Sequence, residues 1–118
     1  VVIVDGAQLV AHDVFKMSDL GPIDAFVFSA HKISGPTGVG VMWATEKFLN
    51  SLPPYQFGGD MITFVEDQAS TWNELPWKFE AGTPNIAGVI GLGAALDFMT
   101  EMGREKIVSS EHQLVEYG

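Results

Sequence analysis

Two short apolar runs, each cut off by polar residues, most constrain what this chain can fold into. Asp24-Ala-Phe-Val-Phe-Ser-Ala-His-Lys32 is rich in aromatic residues and stops at Ser29, His31 and Lys32. Val1-Val-Ile-Val4 is β-branched and stops at Asp5-Gly-Ala-Gln8. Apolar runs of this length and composition suit buried strands. In open parallel sheets, ligands sit beyond the carboxyl ends of the strands. As neighbouring strands, the two runs bring Asp5, Gln8, Ser29, His31 and Lys32 to one edge. A carboxylate, a carboxamide, a hydroxyl, an imidazole and an amine then converge on one ligand.

An amine that forms a Schiff base serves carbonyl substrates and pyridoxal 5'-phosphate (PLP), and PLP also needs an acidic partner for its pyridine nitrogen. Lys32 and Asp5 suit those two roles. Gln8 can hydrogen-bond the ring hydroxyl oxygen, while Ser29 and His31 can donate to the phosphate. Lys32 follows a largely apolar stretch, so a crowded setting is expected for its amine, and burial favours the neutral, nucleophilic form of a lysine. Each residue also has a plainer reading: Asp5 as a turn former before Gly6, His31 as a satisfied core histidine, Lys32 as a solvated cation. Their company, rather than any one of them, promotes the functional reading.

Four motifs in order carry a specific likeness. Asp5-Gly-Ala-Gln8, Ser29-Ala-His-Lys32 with Gly35-Pro-Thr-Gly-Val-Gly40, Gly58-Gly-Asp-Met-Ile62 and Phe79-Glu-Ala-Gly-Thr-Pro-Asn85 resemble the cysteine desulfurases of the SufS type. Those enzymes belong to the class V aminotransferase group of fold-type I PLP proteins. The resemblance implies an α/β fold, a mixed but mostly parallel sheet with packed helices, as part of the large PLP-binding domain. It places His31 at the cofactor phosphate. It also implies that Thr83 reaches the phosphate of a partner subunit across a homodimer interface, where the plainer reading has Thr83 only cap its own helix.

The activity implied is a PLP adduct with L-cysteine, removal of the α-proton by the Lys32 amine, and transfer of sulfur as a persulfide to a cysteine nucleophile, with L-alanine as co-product. The sulfur-acceptor protein implied usually serves iron-sulfur cluster assembly, in the cytoplasm. The chain contains no cysteine, so the thiol is expected outside these residues. A fold-type I subunit is also roughly three times longer, on a multi-domain scale. The expectation is therefore an internal fragment of the large domain, residues 1–118, inactive by itself. Two alternatives stand beside it: another class V PLP enzyme, such as an aminotransferase, a selenocysteine lyase or an epimerase, and a catalytically silent scaffold.

Composition removes other classes. With 47% hydrophobic and 18% charged residues the chain is globular rather than disordered, and a net charge of -9 argues against a nucleic-acid surface. No uncharged stretch reaches the ~20 apolar residues of a membrane span. The spacings of His and carboxylate residues fit no metal template. Gly35 to Gly40 lacks the Gly-Lys-Ser/Thr ending of a P-loop and reads as a turn shaping the loop after Lys32. His12 and His112 match no motif and are expected to be structural or surface residues.

The remaining elements follow from local chemistry. A short strand or helical turn is expected between Gln8 and Leu20, with turn chemistry at Met17 to Pro22. Val39 to Ala44 predicts a strand adjacent to the Asp24 run and antiparallel to it, since only a short loop separates the two. Thr45 suits the N-cap of a helix from Glu46 to Leu52, stopped by Pro53-Pro54. From Pro53 to Pro76 only Met61 to Val65 is patterned as a strand, and Trp72 and Trp77 read as packing residues. Thr83 as N-cap and Pro84 as first helical residue open a helix whose buried face is expected to hold Ile86, Val89, Ile90 and Gly93. Close packing is expected to offset the glycines at 88, 91 and 93. A last helix starts at Glu105, with Ile107, Val108, Leu114 and Val115 as its apolar positions.

Overall fold

The computed structural model describes residues 1–118 as two compact units, Val1–Trp43 with Ala87–Gly118, and Ala44–Ile86. In the first, β1 (Ile3–Asp5), β2 (Ala25–Ser29) and β3 (Gly40–Ala44) form one sheet in the order β1-β2-β3. β1 and β2 run parallel, with Ile3 beside Ala25, Val4 beside Phe26 and Asp5 beside Val27. β2 is central because its residues tolerate burial: Ala25 and Phe26 are buried, and the Val2 backbone N–H donates to Asp24 Oδ2 at 2.8 Å where the two strands begin. The expected adjacency of the 39–44 strand holds. The architecture is α/β with a mixed sheet: β1 and β2 run parallel, whereas the Ala30 N–H donates to the Val39 carbonyl at 3.0 Å where β2 ends and β3 is about to begin, the contact of an antiparallel pair, and β4 and β5 of the other unit pair antiparallel.

Between β1 and β2 lie α1 (Leu9–His12) and a 3-10 turn at Met17–Leu20. Gly21 closes that turn at φ 73°, a conformation glycine adopts without strain. After β3 and the second unit come α3 (Ile86–Met102) and α4 (Arg104–Tyr117). The core joins Val10 and Ala11 of α1, Phe26 of β2, Ala30 and Ile33 just after it, and Leu92 and Met99 of α3. Phe15 and Phe28 flank Phe26, with ring centroids 5.6 and 6.3 Å away in tilted geometry. Arg104 ties the start of α4 to α1 by donating from Nη2 to the carbonyls of Val10 and Asp13 at 2.6 and 2.8 Å. No single helix is long and apolar enough to cross a membrane.

The buried face of α3 is not the expected one. Gly88, Leu92, Ala95 and Met99 face the core, whereas Ile86, Val89 and Ile90 are 58%, 55% and 69% exposed and Gly93 is exposed as well. Apolar residues surround this helix, so helical spacing by itself fits either stripe. The stripe with small residues lets the helix backbone come close. Gly91 shows the same logic, since a Cβ there would lie 3.2 Å from Pro36 Cγ. Gly93 has no such neighbour within 4 Å. The helix also begins at Ile86 rather than at Pro84, because Pro84 spends its carbonyl on a tight bond from the Ile86 N–H at 2.8 Å. Thr83 therefore precedes the helix by three residues and does not cap it. In α4, Leu114 and Val115 are exposed at 68% and 81%, so only Ile107 and Val108 of its expected apolar set are partly covered.

The second unit starts with α2 (Glu46–Ser51), capped as expected by Thr45, whose Oγ1 accepts from the Phe48 N–H at 3.3 Å. Lys78 Nζ donates to the Leu52 carbonyl at 2.6 Å, placing a cation at the negative end of that helix. β4 (Ile62–Val65) pairs antiparallel with β5 (Ser70–Trp72) and carries an irregularity between Ile62 and Phe64. β5 goes beyond the single strand expected here. Three residues carry no readable alternation, and pairing with β4 through the Glu66 to Ala69 turn creates the strand. Trp72 packs on Phe57 with centroids 5.2 Å apart, while Trp77 is 53% exposed.

Candidate active site

The parallel register of β1 and β2 sends both carboxyl ends to one sheet edge. Asp5 ends β1, and its Oδ1 accepts from the Ala7 N–H at 3.0 Å, while the Gly6 N–H donates to the Val27 carbonyl at 2.8 Å. The chain must turn here against the face of an aromatic ring. A Cβ on Gly6 would fall 1.9 Å from Phe26 Cζ, so only glycine fits. Sequence reading treats Gly6 as a turn partner of Asp5 and misses this contact. Gln8 then stands at the start of α1, exposed, with helical φ and ψ.

On the neighbouring strand, Ser29 is the last residue of β2 and is partly buried. A 3-10 turn, Ala30–Ile33, follows and carries His31 and Lys32. Its first and last members, Ala30 and Ile33, are buried at 0% and 2%, which anchors the turn and directs His31 and Lys32 outward. Ser34 closes it in the left-handed region at φ 62°, and the Gly35 N–H returns to the Ala30 carbonyl at 2.9 Å. A Cβ on Gly35 would approach that oxygen to 2.8 Å, so the Gly35 to Gly40 segment does shape the loop after Lys32. The expected crowding of Lys32 is absent. Its side chain is exposed, because a turn rather than a continuing strand presents it.

Asp5, Gln8, Ser29, His31 and Lys32 thus belong to the segments that close one sheet edge. Thr83 is exposed and belongs to the second unit. The donor set at the edge matches an aromatic cofactor that offers an aldehyde to an amine, a ring nitrogen to a carboxylate, a ring oxygen to an amide and a phosphate to hydroxyl and imidazole donors. These residues fit PLP. One further residue belongs to the group. His12, expected to be structural or surface, has Nε2 3.2 Å from Gln8 Oε1 and Nδ1 3.0 Å from Glu111 Oε2 on α4. The signal was present in the sequence: positions 8 and 12 are one helical turn apart, the spacing at which side chains meet.

Comparison with known proteins adds to this geometry. A probable cysteine desulfurase of Halalkalibacterium halodurans is 50% identical over 117 residues, which cover 99% of this chain and 29% of that protein. The apo structure of a cysteine desulfurase from Thermococcus onnurineus superimposes with a TM-score of 0.90 at 38% identity, over 98% of this chain and 29% of that one. A variant of the cystine C-S lyase C-DES, with glycine covalently linked to its PLP cofactor, gives a TM-score of 0.70 at 31% identity, over 86% of this chain and 26% of that one. The chain spans about 29% of the length of the curated relatives it matches. The aminotransferase class-V family matches residues 1–118, the whole of this sequence, and the chain belongs to that family.

Proposed function

We propose that this chain is part of the large, PLP-binding domain of a cysteine desulfurase that converts L-cysteine to L-alanine and passes the sulfur on as a persulfide. The observation that carries the reading is 50% identity, over nearly the whole chain, to a probable cysteine desulfurase. When bound, PLP supplies an electron sink for negative charge at the substrate α-carbon. Lys32 would hold the cofactor through its amine and would accept the proton of the substrate α-carbon. The Asp5 carboxylate holds the proton of the pyridine nitrogen. Gln8 donates to the ring oxygen, and Ser29 and His31 donate to the phosphate. The nucleophilic thiol comes from residues outside this chain, which has no cysteine.

Lys32→Ala in the full-length protein tests the reading. Borohydride reduction should fix PLP on the peptide carrying Lys32 in the wild type and on no peptide of this segment in the variant. PLP trapped on the same peptide of the variant would sink the assignment. A β-elimination chemistry is the second reading, favoured by 32% identity to the C-S lyase whose structure holds cysteine persulfide. Product analysis separates the two, since desulfuration yields alanine and elimination yields pyruvate.

The proposal extends to a homodimer in which Thr83 serves the partner's phosphate site, and to a sulfur acceptor in iron-sulfur cluster assembly. Mixed dimers test the first part. In a heterodimer of Lys32→Ala and Thr83→Ala subunits, the site with an intact Lys32 belongs to the Thr83→Ala subunit. That site should bind PLP with wild-type affinity, while a Thr83→Ala homodimer binds it more weakly. Equal weakening in both would return Thr83 to its own subunit's site.

A further inference from the structure

Gln8 is the one residue of the sheet-edge set whose side chain is held by another side chain. His12 lies one turn along α1, with Nε2 3.2 Å from Gln8 Oε1 and Nδ1 3.0 Å from Glu111 Oε2. Glu111 comes from α4, so a contact between two helices far apart in sequence fixes the imidazole ring. An imidazole nitrogen facing a carboxylate must carry hydrogen, and so must one facing a carboxamide oxygen. The structure turns Oε1 of Gln8, rather than its NH2 group, toward Nε2. Gln8 Oε1 is then occupied, and the Gln8 NH2 group is the end left to donate. Turned over, the amide would direct its NH2 at Nε2 and leave an oxygen outward, which repels an acceptor.

We propose that His12, braced by Glu111, is a positioning residue that sets which end of the Gln8 amide faces the cofactor site, so that Gln8 donates to the oxygen of the PLP ring hydroxyl. The inference rests on the reading of Gln8 as a PLP contact. The charged and titratable groups around His12 are Glu111, with His112 and Glu116 of α4 lining the same open cleft of about 680 Å³, Asp13 next along the chain, and Arg104, which donates to the Val10 and Asp13 carbonyls on either side of it. None of these bonds Gln8 directly. The orienting contact is therefore His12, and the role of Glu111 is to hold the ring in place.

The amide of Asn occupies roughly the place of imidazole Nδ1, and that of Gln the place of Nε2. His12→Asn should therefore retain the link to Glu111 and lose Gln8, while His12→Gln should do the reverse. Measured on the full-length apo protein by titration with PLP, His12→Asn should weaken binding about five- to tenfold, the size of one hydrogen bond. It should also shift the absorption maximum of bound PLP. His12→Gln should restore affinity to within about twofold. Gln8→Ala should weaken binding to a similar degree, and the Gln8→Ala, His12→Asn pair should bind no more weakly than Gln8→Ala alone.

A loss from His12→Asn that persists undiminished in the Gln8→Ala background would overturn the proposal while leaving Gln8 as a PLP contact. So would an unchanged affinity in His12→Asn beside a weakened Gln8→Ala. If Gln8→Ala binds PLP like the wild type, the Gln8 contact and the proposal fall together, whereas Lys32-dependent trapping of PLP still decides the wider reading. Thermal unfolding of the apo variants guards against a folding defect. Should His12→Asn lower the midpoint, the order of affinities decides: Asn below Gln supports the proposal, and Gln below Asn overturns it.

Discussion

The unit that carries the sheet edge and the unit Ala44–Ile86 are held together in different ways. In the first, buried residues from β2, α1, α3 and the turn after β2 form one apolar cluster. In the second, Met61 is the single buried hydrophobic residue, while Tyr55, Phe57, Phe64 and Val65 are all more than two-thirds exposed. Its order comes from directed bonds: the β4-β5 ladder, Asn73 Nδ2 to the Asp60 carbonyl at 3.0 Å, the Gly82 N–H to the Gly59 carbonyl at 2.9 Å, and Lys78 at the end of α2. Apolar burial is the larger and less local term. Damage in the first unit should spread, and damage in the second should stay where it is made.

Ile33→Ala should show the largest effect. The side chain is 2% exposed in the cluster and anchors the turn carrying His31 and Lys32, so truncation should cost about 3–4 kcal/mol. Amide exchange should accelerate across β2, α1 and α3 together; acceleration limited to residues 30–35 would erase the contrast drawn here. Next, Gly6→Ala should cost about 2–3 kcal/mol, because the new methyl meets the ring of Phe26, itself 2% exposed and unable to withdraw. Pairing it with Phe26→Leu should recover part of that loss in a denaturant titration. No recovery would mean that the glycine is needed for its backbone and not for the ring.

Effects in the second unit should be smaller and confined. Met61→Ala removes a fully buried side chain outside the main cluster, where the surroundings can close in, and should cost about 2 kcal/mol. Faster exchange should appear in β4 and β5 and leave β2 unchanged. Smallest of all, Lys78→Met keeps the length of the side chain but removes the donor to the Leu52 carbonyl, and about 1 kcal/mol is expected. Exchange at the last turn of α2 reads that change. A global loss of stability from either substitution would show that the two units share one cooperative core.

Local chemistry determined a good part of this protein. Strand-like runs ending in polar residues placed Asp5 and Ser29 at the same sheet edge, because a parallel pair has one carboxyl end. Thr45 capped α2, and the glycines around Pro36 made the turn after Lys32, since caps and turns are decided within four residues. What the sequence left open was every choice between equally apolar or equally polar options. α3 is apolar all round, and only contact with the core selected Gly88, Leu92, Ala95 and Met99 over Ile86, Val89 and Ile90. The need for Gly6 depends on Phe26, 20 positions away in the chain and brought beside it by strand pairing. His12 became a partner of Gln8 through helical spacing, but Glu111, 99 positions on, reaches the same ring only through the packing of α4. The exposure of Lys32 was likewise set by a buried anchor, Ile33, that turns the chain outward. Periodicity states which residues can share a face; which face is buried depends on what packs against it, and that is a property of the folded chain.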